Sequence, residues 1–297
     1  VVSTKVLSPC RAVALAAVMN IVGAFLTTAV AKTIGKDIVD PKAITDAVVI
    51  AALASAFLWN SVMTLMGLPV SASHALVGGI IGAAASHGGT TILNVSGILK
   101  IFTSLLVSPF LGILIGYAFM KLILRLFGNH APGTINKYFG RLQIVSSALM
   151  AFGHGSNDAQ KVMGIITMAL VSKGVIHTLD VPMWVVFTAA SAMGLGTFFG
   201  GWKVIKTIGV KMLKLEPVHG FADETSSTLI ILGASTLGLP VSTTHVISTA
   251  ILGVGAPKRL SAVRWGIAGK IVMAWILTLP VCIAIAWGLL RLFSRWM

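Results

Sequence analysis

The sequence predicts an all-α polytopic membrane protein made of two repeats with inverted topology. The 297 residues are 56% hydrophobic and only 10% charged, with a mean hydropathy of +0.96. A soluble domain carries about 25% charged residues because its surface must face water. Apolar stretches close to the roughly 20 residues that span a bilayer also recur along the chain. These stretches are residues 12–31, 43–66, 102–120, 183–199 and 271–290.

A sixteen-residue motif occurs twice, which indicates an internal repeat. Residues 67–82 read GLPVSASHALVGGIIG, and residues 238–253 read GLPVSTTHVISTAILG. Eight of the sixteen aligned positions are identical, without a gap and at a fixed offset of 171. We therefore assign residues 1–126 to a first repeat and residues 127–297 to a second, within a single membrane domain.

Each copy of the motif joins two apolar stretches through Gly-Leu-Pro-Val-Ser. The apolar stretch that follows has about a dozen residues, or roughly 18 Å of helix, against a hydrocarbon core about 30 Å thick. Proline ends one helix, and serine can cap the next. The pattern favours a re-entrant helical hairpin with its tip near mid-membrane. Two ordinary spans joined by a short turn remain the alternative.

A third interruption is Gly-His-Gly-Ser-Asn-Asp at residues 153–158, between two half-length apolar segments. A glycine-rich break with an acid inside a span predicts a broken helix that lines a functional cavity. Lys161 follows Asp158 by three residues, so a buried ion pair is the structural alternative. Subtracting the offset of 171 from Asn157 places the first copy of this element upstream of residue 1. We therefore expect the chain to lack the first broken helix and half of its ion site.

The basic residues predict the orientation of the repeats. If the hairpins return to the side from which they enter, one face receives thirteen Lys and Arg residues and the other seven, with Lys161 and Lys270 inside spans. The richer face is then the cytoplasm, and the two hairpins enter from opposite sides. Such inverted repeats place a binding site where they meet at the midplane. Because the basic residues lie between apolar segments, the net charge of +14 does not indicate a nucleic-acid surface.

Two helices that begin inside the membrane would expose unpaired N–H groups and positive dipole ends to one point. Hydroxyl groups at these starts would add donors, and such a cage suits a small tetrahedral oxyanion. The oxygens of Asn157 and Asp158 suit a coupling Na⁺ or proton beside the anion. For His74 and His245, both packing at the tip and a ligand or proton-relay role stay open. The hydroxyl residues are Ser71, Ser73, Ser242, Thr243 and Thr244.

Residues 153–161, GHGSNDAQK, together with the two Pro-Val-Ser-x-[Ser/Thr]-His tips, resemble the inorganic phosphate transporter family, the PiT permeases, of the bacterial low-affinity type. The resemblance covers essentially the whole chain. It implies cation-coupled phosphate symport by a homodimer in the bacterial cytoplasmic membrane, without a cofactor or a resident metal. Phosphate would lie between the hairpin tips and the Asn-Asp motifs. By position the binding residues are Ser71, Ser73, Ser242, Thr243, Thr244, Asn157 and Asp158, and Glu224 matches the acid of the second hairpin.

One departure from the family pattern concerns the coupling ion. Sodium-coupled members usually place Asn three residues after the Asp, where this chain has Lys161. Its ammonium group can stand in for a bound cation, so Asn157, Asp158, Lys161 and Glu224 are predicted to couple transport to protons rather than Na⁺. A metal–phosphate complex as cargo, a sulfate or other oxyanion permease, and an anion channel are the alternatives. The sequence shows no paired carboxylates, metal-spaced histidines or activated nucleophile, which argues against an enzyme.

Overall fold

A computed structural model describes residues 1–257 and 264–293, and within those ranges the protein is built from helices. The described residues form no strand, only an isolated bridge between Val39 and Leu93. Three of the basic residues in the orientation count, Lys258, Arg259 and Arg295, lie outside the described ranges. The α-helices are α1 (Pro9–Gly23), α2 (Ala29–Asp37), α3 (Asp46–Met66), α4 (Ala72–Gly88), α5 (Val95–Phe127), α6 (Pro132–Ser172), α7 (Met183–Phe199), α8 (Trp202–Lys206), α9 (Pro217–Thr236), α10 (Thr243–Gly255) and α11 (Trp265–Phe293).

Several of these helices have the length and apolar composition of membrane spans. In the described part of the chain, α3, α5 and α11 are each long and apolar enough to cross a bilayer. A fourth candidate is α7 together with Trp202–Met212, a pair bent by 62° at Gly200–Gly201. The prediction of an all-helical, polytopic membrane protein is confirmed.

The two copies of the motif fold into matching hairpins. α3 and α4 begin at Asp46 and Ala72, and α9 and α10 begin 171 residues later. The long helices that follow, α5 and α11, carry internal prolines at the equivalent positions Pro109 and Pro280. α4 has 17 residues rather than the dozen expected, and α10 has 13. The depth at which the hairpins turn, the inversion of the repeats and their boundary at residue 126 stay predictions.

Each hairpin packs against the long helix that follows the other hairpin in the sequence. α4 packs along α11, whereas α10 packs along α5, so each hairpin rests on the long helix of the other repeat. Two hydrogen bonds also join α3 to α11: Ser55 Oγ donates to the carbonyl of Cys282 at 2.8 Å, and Trp59 Nε1 donates to Thr278 Oγ1 at 2.9 Å. This packing directs the two Pro-Val-Ser turns toward one another.

The predicted break at residues 153–158 is wrong, because α6 runs through them as one helix of 41 residues. The glycines there permit close packing instead of ending the helix. A Cβ on Gly155 would collide with the backbone carbonyl of Asn20, so glycine lets α1 approach α6 at this level. The asparagine and the acid therefore project from a continuous helical face.

The actual breaks lie elsewhere, and one divides the span predicted at residues 12–31. α1 ends at Gly23 and α2 begins at Ala29. The free N–H groups at the start of α2 are satisfied from α6: Gln160 Oε1 accepts from Val30 N at 2.8 Å and from Ala31 N at 3.3 Å. A helix that begins inside the protein needs such partners, because its first N–H groups have no acceptor within the helix.

Candidate functional site

The two hairpin turns are built in the same way. Gly67 and Gly238, with φ of 72° and 68°, adopt the left-handed conformation that glycine tolerates at the end of a helix. The serine two residues after each proline caps the next helix: Ser71 Oγ accepts from His74 N and Ser242 Oγ from His245 N, each at 3.2 Å. The capping role predicted for these serines is confirmed.

The two turns meet, as predicted. Ser73 Oγ at the first turn donates to the carbonyl of Val241 at the second, at 3.0 Å. The rings of His74 and His245 lie 4.9 Å apart, and His245 stacks on Trp275 at 3.9 Å. Trp275 Nε1 then donates to the carbonyl of Pro69 at 2.9 Å, which ties α11 back to the first turn. The histidine rings therefore pack between the hairpins.

Asn157 holds the second turn to α6. Its Oδ1 accepts from Val241 N at 3.3 Å, and its Nδ2 donates to Ser235 Oγ at 3.0 Å. The residue is fully buried, at 0% exposure. In this conformation Asn157 positions the turn rather than facing an open cavity.

Asp158 is the centre of a polar cluster on α6. Its Oδ1 lies 2.5 Å from Lys161 Nζ, and its Oδ2 accepts from Thr243 Oγ1 at 3.0 Å. His154 Nε2 lies 3.2 Å from the same Oδ2. Lys161, at 1% exposure, also donates to the Val241 carbonyl at 2.8 Å. The ion pair considered from the sequence is present, and it links α6 to the second turn.

A cavity of about 290 Å³ opens beside this cluster. That volume holds several waters at ~30 Å³ each, so a tetrahedral anion fits with part of its hydration. Among the predicted anion-binding residues, Thr243 and Thr244 line it, together with His154. Ser71, Ser73 and Ser242 do not: they are 1–2% exposed and lie within the contact between the turns.

Glu224 lies apart from Asp158. It accepts hydrogen bonds from Ser146 Oγ at 2.6 Å and from Gln143 Nε2 at 3.0 Å. It lines a second cavity, of about 450 Å³, with Asp223. His154 lines both cavities, so its imidazole lies where the two adjoin.

Sequence reasoning missed three polar residues that line the first cavity. His154 belongs to the quoted motif but received no role. Asn60 and Thr64 project from α3, one helical turn apart and on one face. Asn60 Oδ1 is buried and has no hydrogen-bond partner in the described structure. The signal in the sequence that could have identified Asn60 and Thr64 was their polarity within an apolar span.

The described residues include no cluster of three or more His, Cys, Asp or Glu that could hold a metal ion.

Comparison with known proteins finds relatives that match nearly the whole chain. A family model described as the phosphate transporter family matches residues 1–286. A probable low-affinity inorganic phosphate transporter of Bacillus subtilis (strain 168) is 48% identical over 284 residues, which cover 94% of this chain and 85% of the relative. A protein of the same description from Rhizobium meliloti (strain 1021) is 44% identical over 288 residues, covering 96% and 86%. A solved structure titled "The sodium-dependent phosphate transporter" superimposes with a TM-score of 0.91 at 26% identity, over 100% of this chain and 92% of the other.

Proposed function

The chain belongs to the phosphate transporter family, and we propose that it moves inorganic phosphate across the membrane together with protons. It is an integral membrane transporter rather than an enzyme. In the proposal, phosphate binds in the smaller cavity, between Thr243 and Thr244 of the second hairpin and the polar face of α3. The coupling cation is the proton, and Na⁺ is not required.

The position of Lys161 is the observation that carries the choice of proton. Its ammonium group lies between a carboxylate oxygen of Asp158 and the carbonyl oxygen of Val241. Carboxylates and unwound backbone carbonyls are the groups with which transporters of this kind coordinate Na⁺. Because the lysine supplies a tethered positive charge at that point, Asp158 is not a metal ligand in this chain. The energy of transport must then come from another ion.

The arrangement of donors supports an anionic cargo. α4 and α10 both begin at the meeting point of the two turns, where their dipoles present partial positive charge. Backbone N–H groups and hydroxyls at a helix start form an anion site without a formal charge. Phosphate also carries P–O–H groups near neutral pH, which can donate to a polar acceptor in the cavity lining. Sulfate, which is fully deprotonated there, lacks such a donor.

The remaining parts of the proposal follow from the family resemblance. Two inverted repeats, with the boundary at residue 126, would alternate access to the cavity from the two sides of the membrane. The functional unit would be a homodimer. The proposed cargo is free phosphate, and the alternative cargo is a metal–phosphate complex.

Uptake of radiolabelled phosphate into proteoliposomes tests the proposal. We expect an inward proton gradient to drive accumulation above the external concentration, with little change when Na⁺ is replaced by K⁺ or choline. Excess sulfate should compete weakly, and removal of Mg²⁺ should leave uptake intact if free phosphate is carried. Strong stimulation by Na⁺ would overturn proton coupling, and effective competition by sulfate would overturn the choice of cargo. Equilibration without uphill accumulation would indicate a channel.

A further inference from the structure

A chain of hydrogen bonds fixes the orientation of Asn20 on α1. Thr197 Oγ1 donates its one proton to the carbonyl of Met193 at 2.8 Å. It must therefore accept from Asn20, whose Nδ2 lies 2.9 Å away. The other end of the same amide, Oδ1, then faces His154 Nδ1 at 3.1 Å. An amide oxygen only accepts hydrogen bonds, so Nδ1 of the imidazole must carry a proton.

The second nitrogen of His154 also faces an acceptor. Nε2 lies 3.2 Å from Asp158 Oδ2. The carboxylate is ionised in this arrangement, because it accepts from the Lys161 ammonium and from the Thr243 hydroxyl. A proton on Nε2 makes this contact an ion pair, whereas a bare Nε2 would set two acceptors 3.2 Å apart. An imidazole with protons on both nitrogens is the imidazolium cation.

We propose that His154 carries the coupling proton, and that its imidazolium form completes the positive charge that binds phosphate in the adjoining cavity. The inference rests on the proposed function and names the residue responsible for its coupling. With His154 protonated, the cluster of Asp158, Lys161 and His154 has a net charge of +1. With His154 neutral, the net charge is zero. The proton and the anion therefore favour each other's binding.

This mutual effect is what symport requires. If a bound proton strengthens phosphate binding by some factor, bound phosphate strengthens proton binding by the same factor. Loss of the proton would also leave one ring nitrogen facing Asn20 Oδ1 or Asp158 Oδ2, acceptor against acceptor. The arrangement in the structure, with an acceptor oxygen 3.1 Å from Nδ1 and another 3.2 Å from Nε2, therefore favours the protonated state.

The other charged groups around the two cavities are few. On its own helix, His154 faces Asp158 and Lys161. From α9, Asp223 and Glu224 line the second cavity with it, and the amino group of Val1 lies 3.3 Å from Glu224 Oε1. From α1 the uncharged Asn20 contacts His154, and the uncharged Thr197 of α7 and Thr243 of α10 line the cavities with it. Because His154 borders both cavities, it can receive its proton from one and present it to phosphate in the other.

Three variants of the reconstituted protein test the assignment. In His154→Gln the ring is replaced by a neutral amide, and in His154→Arg the positive charge is permanent. His177→Gln, in the exposed loop after α6, is the matched control. Phosphate binding is measured by calorimetry from about pH 5 to about pH 8, the range in which an imidazole changes its charge. Accumulation driven by a pH gradient and phosphate–phosphate exchange are measured in parallel.

The unmodified protein and His177→Gln should bind phosphate more weakly as the pH rises. His154→Gln should bind on the order of tenfold more weakly at the acidic end, since it lacks a charge-assisted hydrogen bond, and should lose that pH dependence. His154→Arg should keep its affinity at the alkaline end and still exchange phosphate, yet no longer accumulate it in response to a pH gradient. Ionisation of phosphate itself is common to all four proteins and cancels in the comparison.

Retention of the parent's pH profile by His154→Gln overturns the proposal. Should that variant fail to give a monodisperse protein, His154→Arg alone decides, because gradient-driven accumulation in a protein with a permanent charge contradicts a proton-carrying role. Failure of the unmodified protein to bind phosphate would instead contradict the proposed function.

Discussion

Lys161 Nζ lies 2.5 Å from Oδ1 of Asp158, the residue three positions earlier on α6, and the side chains are 2% and 16% exposed. The Lys161 ammonium neutralises the Asp158 carboxylate, which would otherwise need a mobile cation beside it. Removing one partner of a buried ion pair costs about 3–5 kcal/mol, because the other charge is left uncompensated. The chain therefore depends on this contact more than on any ion pair at its surface.

We expect Lys161→Asn to lower proton-driven phosphate uptake by about tenfold or more in Na⁺-free medium, in keeping with the cost of an unpaired buried charge. Added Na⁺ should restore part of the activity, since a cation can then occupy the vacated position. Lys173→Asn is the control. It breaks the exposed pair between Lys173 and Asp46, which is worth at most about 1 kcal/mol, and should leave uptake unchanged. Equal losses in the two variants would contradict the special role of Lys161.

Thr243→Ala should weaken phosphate binding by about 1–3 kcal/mol, the usual cost of leaving a buried polar partner unmatched. The threonine hydroxyl both lines the cavity and holds Asp158 Oδ2. Thr243→Ser keeps that hydroxyl and should bind nearly as well as the parent. Thr236→Ala removes an exposed hydroxyl from the same hairpin and serves as the control. Calorimetric affinities that do not separate Thr243→Ala from Thr243→Ser would place the anion elsewhere.

Asn60→Ala should affect stability and affinity in opposite directions. The buried Oδ1 of Asn60 has no partner in the described structure, so its removal should preserve or raise the melting temperature in detergent. Phosphate affinity should fall, because the amide lines the cavity. Asn94→Ala provides the converse control: Asn94 caps α5 through Gly97 N, and its loss should cost about 0.5–2 kcal/mol of stability without changing affinity. Undiminished phosphate binding by Asn60→Ala would exclude this side chain from the site.

Gly155→Ala should destabilise the protein by about 1–3 kcal/mol, because the new methyl group would force α1 away from α6. Gly196 on α7 has no heavy atom within 4 Å of a Cβ built at that position. Gly196→Ala should therefore be neutral or slightly stabilising, as alanine is the better helix former. Thermal unfolding in detergent compares the two. A Gly155→Ala variant as stable as Gly196→Ala would show that α1 can yield at this contact.

The sequence predicted the structure best at the repeated motif, where one pattern indicated the same turn at two positions. Pro-Val-Ser at both turns, with glycine before and histidine after, predicted the paired hairpins and their capping serines, because each of these residues has a strong local conformational preference. Tip-to-tip contact followed from the assumption that both copies serve one site.

The predictions failed where a residue's role depends on a neighbour that is distant in the chain. Gly153 and Gly155 suggested a break in α6, but tertiary packing against α1 outweighed the weak helix propensity of glycine. Ser71, Ser73 and Ser242 bond to backbone groups at the joined turns in this structure, and their contact with the anion stays a prediction. His154 gained its significance only from Asn20 and Thr197, which no spacing in the sequence connects to it.

A newly synthesised α4 has to wait for the helix on which it rests. α4 begins at residue 72 and α11 at residue 265, so 193 residues are made in between. At about 5–20 residues per second, that interval is on the order of ten to forty seconds. Through it, the glycine-lined side of α4 at Gly78 and Gly82 faces lipid or the insertion machinery instead of α11. Assembly of the first half is thus completed only when α11 emerges, and a ribosome that stalls before residue 265 leaves α4 without its packing partner.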